Sequence, residues 1–290
     1  MHYLPSLACW FFLLCISISS GAAEEEQEPD PTGTLDIDLV FPRNETYNPT
    51  PMMPVVFSYR NPKLISVLRP HIMYQFWEYN KFDGRGTGGQ IAAPYVNTSS
   101  TDDPHFEHHF FRTPFNTEGQ WKLVVHFSWF NCYKDPDRSF AYLDNNNTIR
   151  MNGTSVSVVF TTTGPSKQVD LNAATSNKNC SAPAGIAIDV RDTLRTPQHE
   201  RREDYDREFC PVVPSVTKAD KCDVTMGPSA ASSVSAAMTS FVCAFTINKT
   251  EIPEEVDCSV LKESMAMPIV FGGTTFLAFV LGALGYLVWS

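Results

Sequence analysis

Residues Trp121 to Trp129 read W-K-L-V-V-H-F-S-W. Trp121, Leu123, Val125, Phe127 and Trp129 fall on every second position, opposite Lys122, His126 and Ser128. Side chains of a strand alternate between its two faces, so this spacing predicts a strand with one face in a core. Two further stretches repeat the pattern. Leu35, Ile37, Leu39 and Phe41 oppose Asp36 and Asp38, and Val156, Val158 and Phe160 oppose Ser155 and Ser157. Residues Val55 to Tyr59, His71 to Tyr79 and Phe106 to Phe111 also read as strands. The His71 to Tyr79 run (HIMYQFWEY) is apolar on both faces, as a central strand covered on two sides would be. Turn residues separate these runs at Asn61-Pro62, Asp83-Gly84, Asp135-Pro136 and Asn145 to Asn147. Many short strands between turns predict a mainly β protein, an antiparallel immunoglobulin-like two-sheet sandwich. The Cys-Trp-Cys pattern of antibody domains is absent from this stretch, where Cys132 is the only cysteine.

Aromatic residues bound that domain. Twenty-two of the 35 Phe, Tyr and Trp lie between Phe41 and Phe160, and four between Gly164 and Met267. Large aromatics dominate core burial, so the sandwich is expected over 35–163 and a disulfide-rich region with a short helix over 164–263. The helix is expected in Met226 to Thr239, with Pro228 near its start and Val234 and Met238 four apart. Residues Asp189 to Glu208 interleave Arg with acidic side chains and read as solvated surface.

The ends carry no Asp, Glu, Lys or Arg before Glu24 or after Glu263 in the 290-residue sequence. Residues 1–23 read as a signal peptide, because the apolar run Leu7 to Ser17 is short and small residues follow it. Residues 24–34 form an acidic tail; Glu24, Glu25, Glu26, Glu28 and Asp30 supply half of the net charge of −10. Residues 268–290 read as a hydrophobic helix or a GPI-attachment signal. The run Ile269 to Trp289 at ~1.5 Å per residue matches a hydrocarbon core of ~30 Å. No cationic residue follows it, which keeps the GPI reading open. The expected address is therefore the plasma membrane or cell surface, with the ectodomain outside. No basic stripe is present, so nucleic acid is not an expected partner.

Eight cysteines are present; Cys9 and Cys15 fall in the signal peptide. The other six, Cys132, Cys180, Cys210, Cys222, Cys243 and Cys258, predict three disulfides in an exported chain. Cys132 must then pair with a cysteine of the later region. Asn44, Asn97, Asn146, Asn152, Asn179 and Asn248 head N-x-S/T sequons and are candidate glycan sites.

The run LDIDLVFPRNETYNPTPMMPVVFSYRNPKL (Leu35 to Leu64) and the pattern Cys222…SAASSVSAAM…Cys243 carry a resemblance. Both are similar to a family of secreted proteins of filamentous fungi defined by a domain of unknown function. The resemblance covers Leu35 to Cys258. It implies an exported fungal surface protein and supplies no catalytic residue.

Motifs with chemistry are sparse. Gly84, Gly86 and Gly89 satisfy G-x-G-x-x-G, but Gln90-Ile-Ala-Ala-Pro94 cannot open the helix that would hold a pyrophosphate. A loop between strands explains the glycines. His105, Glu107 and His109 share a strand face, and with a third ligand such as His126 would resemble a metal site. A sheet with its polar residues outward explains them without a metal. No G-x-S-x-G and no H-E-x-x-H occurs, and no carboxylate pair is singled out. No cofactor is expected. Trp77, Tyr79 and Trp129 could stack on sugar rings; Trp77 and Tyr79 share a face with Met73 and Gln75. The expected function is a non-enzymatic, glycosylated cell-surface protein of structural or recognition role. Its partners would be the membrane and cell-wall polysaccharide or surface proteins. The alternative is a cell-wall carbohydrate-binding module or polysaccharide-active enzyme.

Overall fold

The Trp121–Trp129 stretch lies within a 16-residue strand, and a second 16-residue strand runs antiparallel beside it through the full register Gly119↔Thr162 to Lys134↔Asn147. The computed structural model describes residues 31–81, 86–92, 96, 103–111, 114–134, 147–177, 184–196, 201, 206–218, 222–245 and 256–259. In chain order the strands are β1 (Gly33–Phe41), β2 (Thr46–Tyr47), β3 (Met53–Arg60), β4 (His71–Glu78), β5 (Thr87–Ala92), β6 (His105–Phe111), β7 (Gly119–Lys134), β8 (Asn147–Thr162), β9 (Gly185–Val190), β10 (Asp192–Arg195), β11 (Phe209–Val212) and β12 (Ser215–Lys218). The helices are α1 (Ile65–Leu68), α2 (Leu171–Thr175) and α3 (Pro228–Phe245).

Two five-stranded sheets carry the fold, one ordered β12-β9-β1-β3-β6 and the other β2-β8-β7-β4-β5, with β10-β11 a separate pair. All pairings are antiparallel except the short parallel β2–β8 contact. The protein is thus mainly β, as its alternation predicts. The two sheets meet through rings. Phe57 of β3 stands 5.6 Å from Tyr74 of β4 and 6.4 Å from Phe127 of β7, centroid to centroid. Trp121, Leu123, Val125, Phe127 and Trp129 are all buried at 5% exposure or less, so the whole predicted face is core. Trp121 keeps its polar edge satisfied by donating from Nε1 to Thr162 Oγ1 at 2.9 Å.

Strands on both sides of residue 163 share one sheet. β9 pairs with β1 from Gly33↔Val190 to Asp38↔Gly185, and β12 adds to its far side. Ile186, Ile188 and Val190 are buried there at 1% exposure or less. The predicted helix is present as α3, 18 residues long with Pro228 first. Its Val234, Met238 and Val242 are buried in the same core. α3 lies against the face of the first sheet turned away from β4: Phe110 of β6, on the opposite side of that strand from His109, meets Phe241 at 6.0 Å.

Arg43, 3% exposed, ties these parts together with three backbone carbonyls as acceptors. It donates from Nε to Val40 at 3.1 Å, from Nη1 to Asn177 and from Nη2 to Val224 at 2.6 Å. The far end of the β7–β8 hairpin has a small core of its own, Phe130, Cys132, Ile149 and Cys210, with Leu194 against it.

The expected C-terminal helix over 268–290 lies outside the described residues, as do the signal peptide and most of the acidic tail. Among the described residues no helix is long and apolar enough to cross a membrane.

Candidate ligand groove on the open sheet face

The outer face of the second sheet begins with the other half of the alternation. On β4, Ile72, Tyr74 and Phe76 are buried, whereas Met73 is 46% exposed, Gln75 is exposed and Trp77 is half-buried. The expectation that this strand is covered on both sides is therefore corrected. Only β5 lies beyond it in the sheet, and its outward side chains meet solvent. The register sets cross-strand rows on that face. Gly88, Gln75 and Val124 form one row, and Gln90, Met73 and His126 the next. Between them runs an open groove of about 440 Å³, with Trp77 and Gly86 at one end.

The glycines create the groove. A Cβ at Gly86 would lie 2.8 Å from Cε2 of Trp77, so the indole packs against bare backbone there. A Cβ at Gly88 would lie 2.1 Å from the Tyr74 carbonyl oxygen, so no side chain can occupy that position without displacing the strand. The glycine motif thus sits partly in an edge strand rather than wholly in a loop; Gly84 lies outside the described residues. On β8, Gly153 leaves room for the His126 ring, whose Nδ1 is 2.9 Å from Ser155 Oγ. Gln90 Oε1 is held 3.3 Å from His71 Nε2.

Of the three aromatics expected to meet sugars, Trp77 lines the groove. Tyr79 is 38% exposed just past the end of β4. Trp129 is corrected: at 5% exposure it belongs to the core face and offers no ring to a ligand. The alternation that starts at Trp121 already carried that assignment. Val124, His126 and Gln90 were missed because their membership depends on register, which single strands do not reveal.

His105, Glu107 and His109 do share a face, but it is the inner one. They pair with Tyr59, Phe57 and Val55, and Phe57 contacts the opposite sheet. The expectation of outward polar residues is corrected accordingly. His105 Nε2 meets Glu107 Oε1 at 2.9 Å, and His109 Nδ1 hydrogen-bonds to the Tyr74 hydroxyl. Burial pushes the His109 pKa down and the Tyr74 pKa up. His126 stands on the outer face of the other sheet, away from all three. Among the described residues no group of three or more His, Cys, Asp or Glu is arranged to hold a metal ion.

A second charged cluster lies on β1 and β3. Arg60 contacts Asp36 at 3.2 Å, Asp38 at 3.4 Å and Asp223 at 3.1 Å. Burial, opposed by Arg60, pushes the Asp38 carboxyl up to about 6.

Residues 30–258, which hold both sheets, the groove and the described helices α1 to α3, match a domain of unknown function, DUF7136. The chain belongs to the DUF7136 family. No curated protein and no solved structure matches it. The DUF7136 domain thus includes every described cysteine and sequon. Cys132 is bonded to Cys210 and Cys243 to Cys258, with Cα separations of 5.5 and 5.6 Å. Cys222 is also disulfide-bonded, and Cys180 lies outside the described residues. Asn44 and Asn152 are exposed, whereas Asn97, Asn146, Asn179 and Asn248 lie outside the described residues.

Proposed function

We propose that this DUF7136 protein is a non-enzymatic recognition protein of the fungal cell surface, binding its ligand through the open face of the β2-β8-β7-β4-β5 sheet. One observation carries the reading: the other sheet is covered by α3, while this one leaves a groove whose described lining residues include no carboxylate. Glycoside cleavage requires a pair of carboxyl groups flanking the scissile bond. The described lining therefore supports holding a ligand rather than hydrolysing it.

The finer architecture belongs to the same proposal. The order β1-β3-β6 against β8-β7-β4-β5 supports an immunoglobulin-like sandwich, a frame that commonly presents ligands on a sheet face. We place the chain in the secretory route by residues 1–23. We hold it at the membrane by residues 268–290, as a retained helix or through a GPI anchor. The disulfides and the exposed Asn44 and Asn152 sequons support an oxidising, glycosylating route.

The test is surface binding. Full-length protein purified in detergent should coat walled cells, release no reducing sugar from them, and lose coating when Met73→Arg, at an exposed position of the lining, obstructs the groove. Coating that Met73→Arg leaves intact, in a variant with an unchanged melting curve, places recognition elsewhere. Truncation after Glu263 should release glycosylated protein into the medium, and phospholipase C on the full chain then separates the two anchors.

A further inference from the structure

We infer that the groove over β4 and β5 takes a neutral saccharide chain, with Trp77 as its stacking platform and Gln75 and Gln90 as its hydroxyl-binding amides. The inference rests on the proposed role of the open sheet face.

A sugar ring presents an apolar face of C–H groups and a rim of hydroxyls that both donate and accept. Its complement is an aromatic plane beside planar polar groups of both kinds. The groove supplies that combination. Trp77 lies along the edge strand, supported by the bare backbone of Gly86, and lines the groove. Gln75 and Gln90 are exposed on adjacent rows of the same face. The His71 contact to Gln90 Oε1 leaves the Gln90 amide nitrogen to donate. Met73 and Val124 give an apolar floor between the amides.

The absence of charge narrows the ligand further. Among the described residues the lining carries no carboxylate, guanidinium or ammonium group; Lys122, in register with Trp77, flanks one end of the groove and is already engaged. A charged chain would lose hydration along the Gln75 and Gln90 rows without a counter-charge beside it there, and the net charge of −10 repels polyanions. Size argues the same way. The 440 Å³ groove falls within the ~300–1,000 Å³ of small-ligand sites. A stable protein partner would instead cover ~800 Å² of each surface.

The test uses the full chain in detergent, titrated by calorimetry with oligomers of four to six units. The panel holds neutral glucose, mannose and N-acetylglucosamine oligomers and an acidic uronic-acid oligomer. At least one neutral oligomer should bind and the acidic one should not. Trp77→Ala should weaken binding about tenfold or more, Trp77→Phe should recover most of it, and Gln75→Ala and Gln90→Ala should each cost about three- to tenfold. Melting curves identify any variant that fails to fold, and the exposed Gln75→Ala carries the test if Trp77→Ala does. Coating of cells that Met73→Arg abolishes, with no neutral oligomer bound, would overturn the saccharide and leave the recognition face standing. Loss of both would overturn the two together. Neutral binding untouched by Trp77→Ala and Gln75→Ala would also overturn this assignment.

Discussion

Nη2 of Arg43 donates to the carbonyl of Val224 at 2.6 Å, joining positions 181 residues apart. Arg43 follows β1, and Val224 sits on the approach to α3. A buried guanidinium bonded only to backbone carbonyls is a tie between segments rather than an ion pair.

Arg43→Met should therefore destabilise the protein by about 3 kcal/mol or more, because two buried carbonyls and one partly buried carbonyl lose a charged donor. Arg43→Lys should recover only part, since an ammonium cannot reproduce the planar fork. Denaturant midpoints at constant slope provide the measure. A loss below about 1 kcal/mol for Arg43→Met would show that water replaces the guanidinium without cost.

Phe127, 1% exposed on the β7 core face and set against Phe57 of the opposite sheet, is the natural probe of sheet-on-sheet packing. Phe127→Ala should cost about 3–5 kcal/mol. Gln75→Ala, on the exposed face, should stay within about 0.5 kcal/mol. Equal effects from the two would contradict the assignment of inner and outer faces.

Asp38 should impose a pH dependence of known sign. Its folded pKa is raised to about 6 from 3.8, mainly by burial, and the charges facing it are Arg60, Asp36, Asp223 and Arg43. Between those values the folded state holds more protons than the unfolded chain, so this group's contribution to stability falls as pH rises. The difference in unfolding free energy, Asp38→Asn minus the parent, should climb by about 2–3 kcal/mol between pH 4 and pH 7. A flat difference would mean that Arg60 compensates Asp38 fully. Taking the difference cancels His108 and His109, whose lowered pKa values push stability the opposite way.

Peptide mapping under non-reducing conditions should recover Cys132–Cys210 and Cys243–Cys258. It should also find Cys222 joined to Cys180, the one cysteine of the expected six left without an assigned partner. Replacing Cys132 and Cys210 together by Ser should cost about 4 kcal/mol for a loop of 78 residues. A free thiol at Cys180 in the intact protein would contradict the three-bridge scheme.

Several strands were legible because one face is buried. β1, β7 and β8 announce themselves by period two, and α3 by Pro228 with Val234 and Met238 on one side. The joining of β9 to β1 was not legible. Its core residues Ile186, Ile188 and Val190 are aliphatic, so a reading weighted to aromatics set the region apart. Sequence also gives a strand two faces without saying which is inner. His105, Glu107 and His109 were placed together correctly yet on the wrong side, because that depends on which sheet lies opposite. The groove was the least visible feature, since it consists of cross-strand neighbours and of side chains that Gly86 and Gly88 do not have.

The Cys243–Cys258 bridge has a mechanical meaning. Cys258 closes a loop of 15 residues back onto the last turns of α3. In a chain held by its C-terminal segment, tension arriving at Cys258 would cross a sulfur–sulfur bond and enter the fold at Cys243. The intervening loop would carry none of it. A pull on that end would then act on a helix lying against a sheet, and not peel a terminal strand from its neighbour one hydrogen bond at a time. A protein that grips a wall with one face while tethered behind would in this way separate the point of traction from the point of attachment.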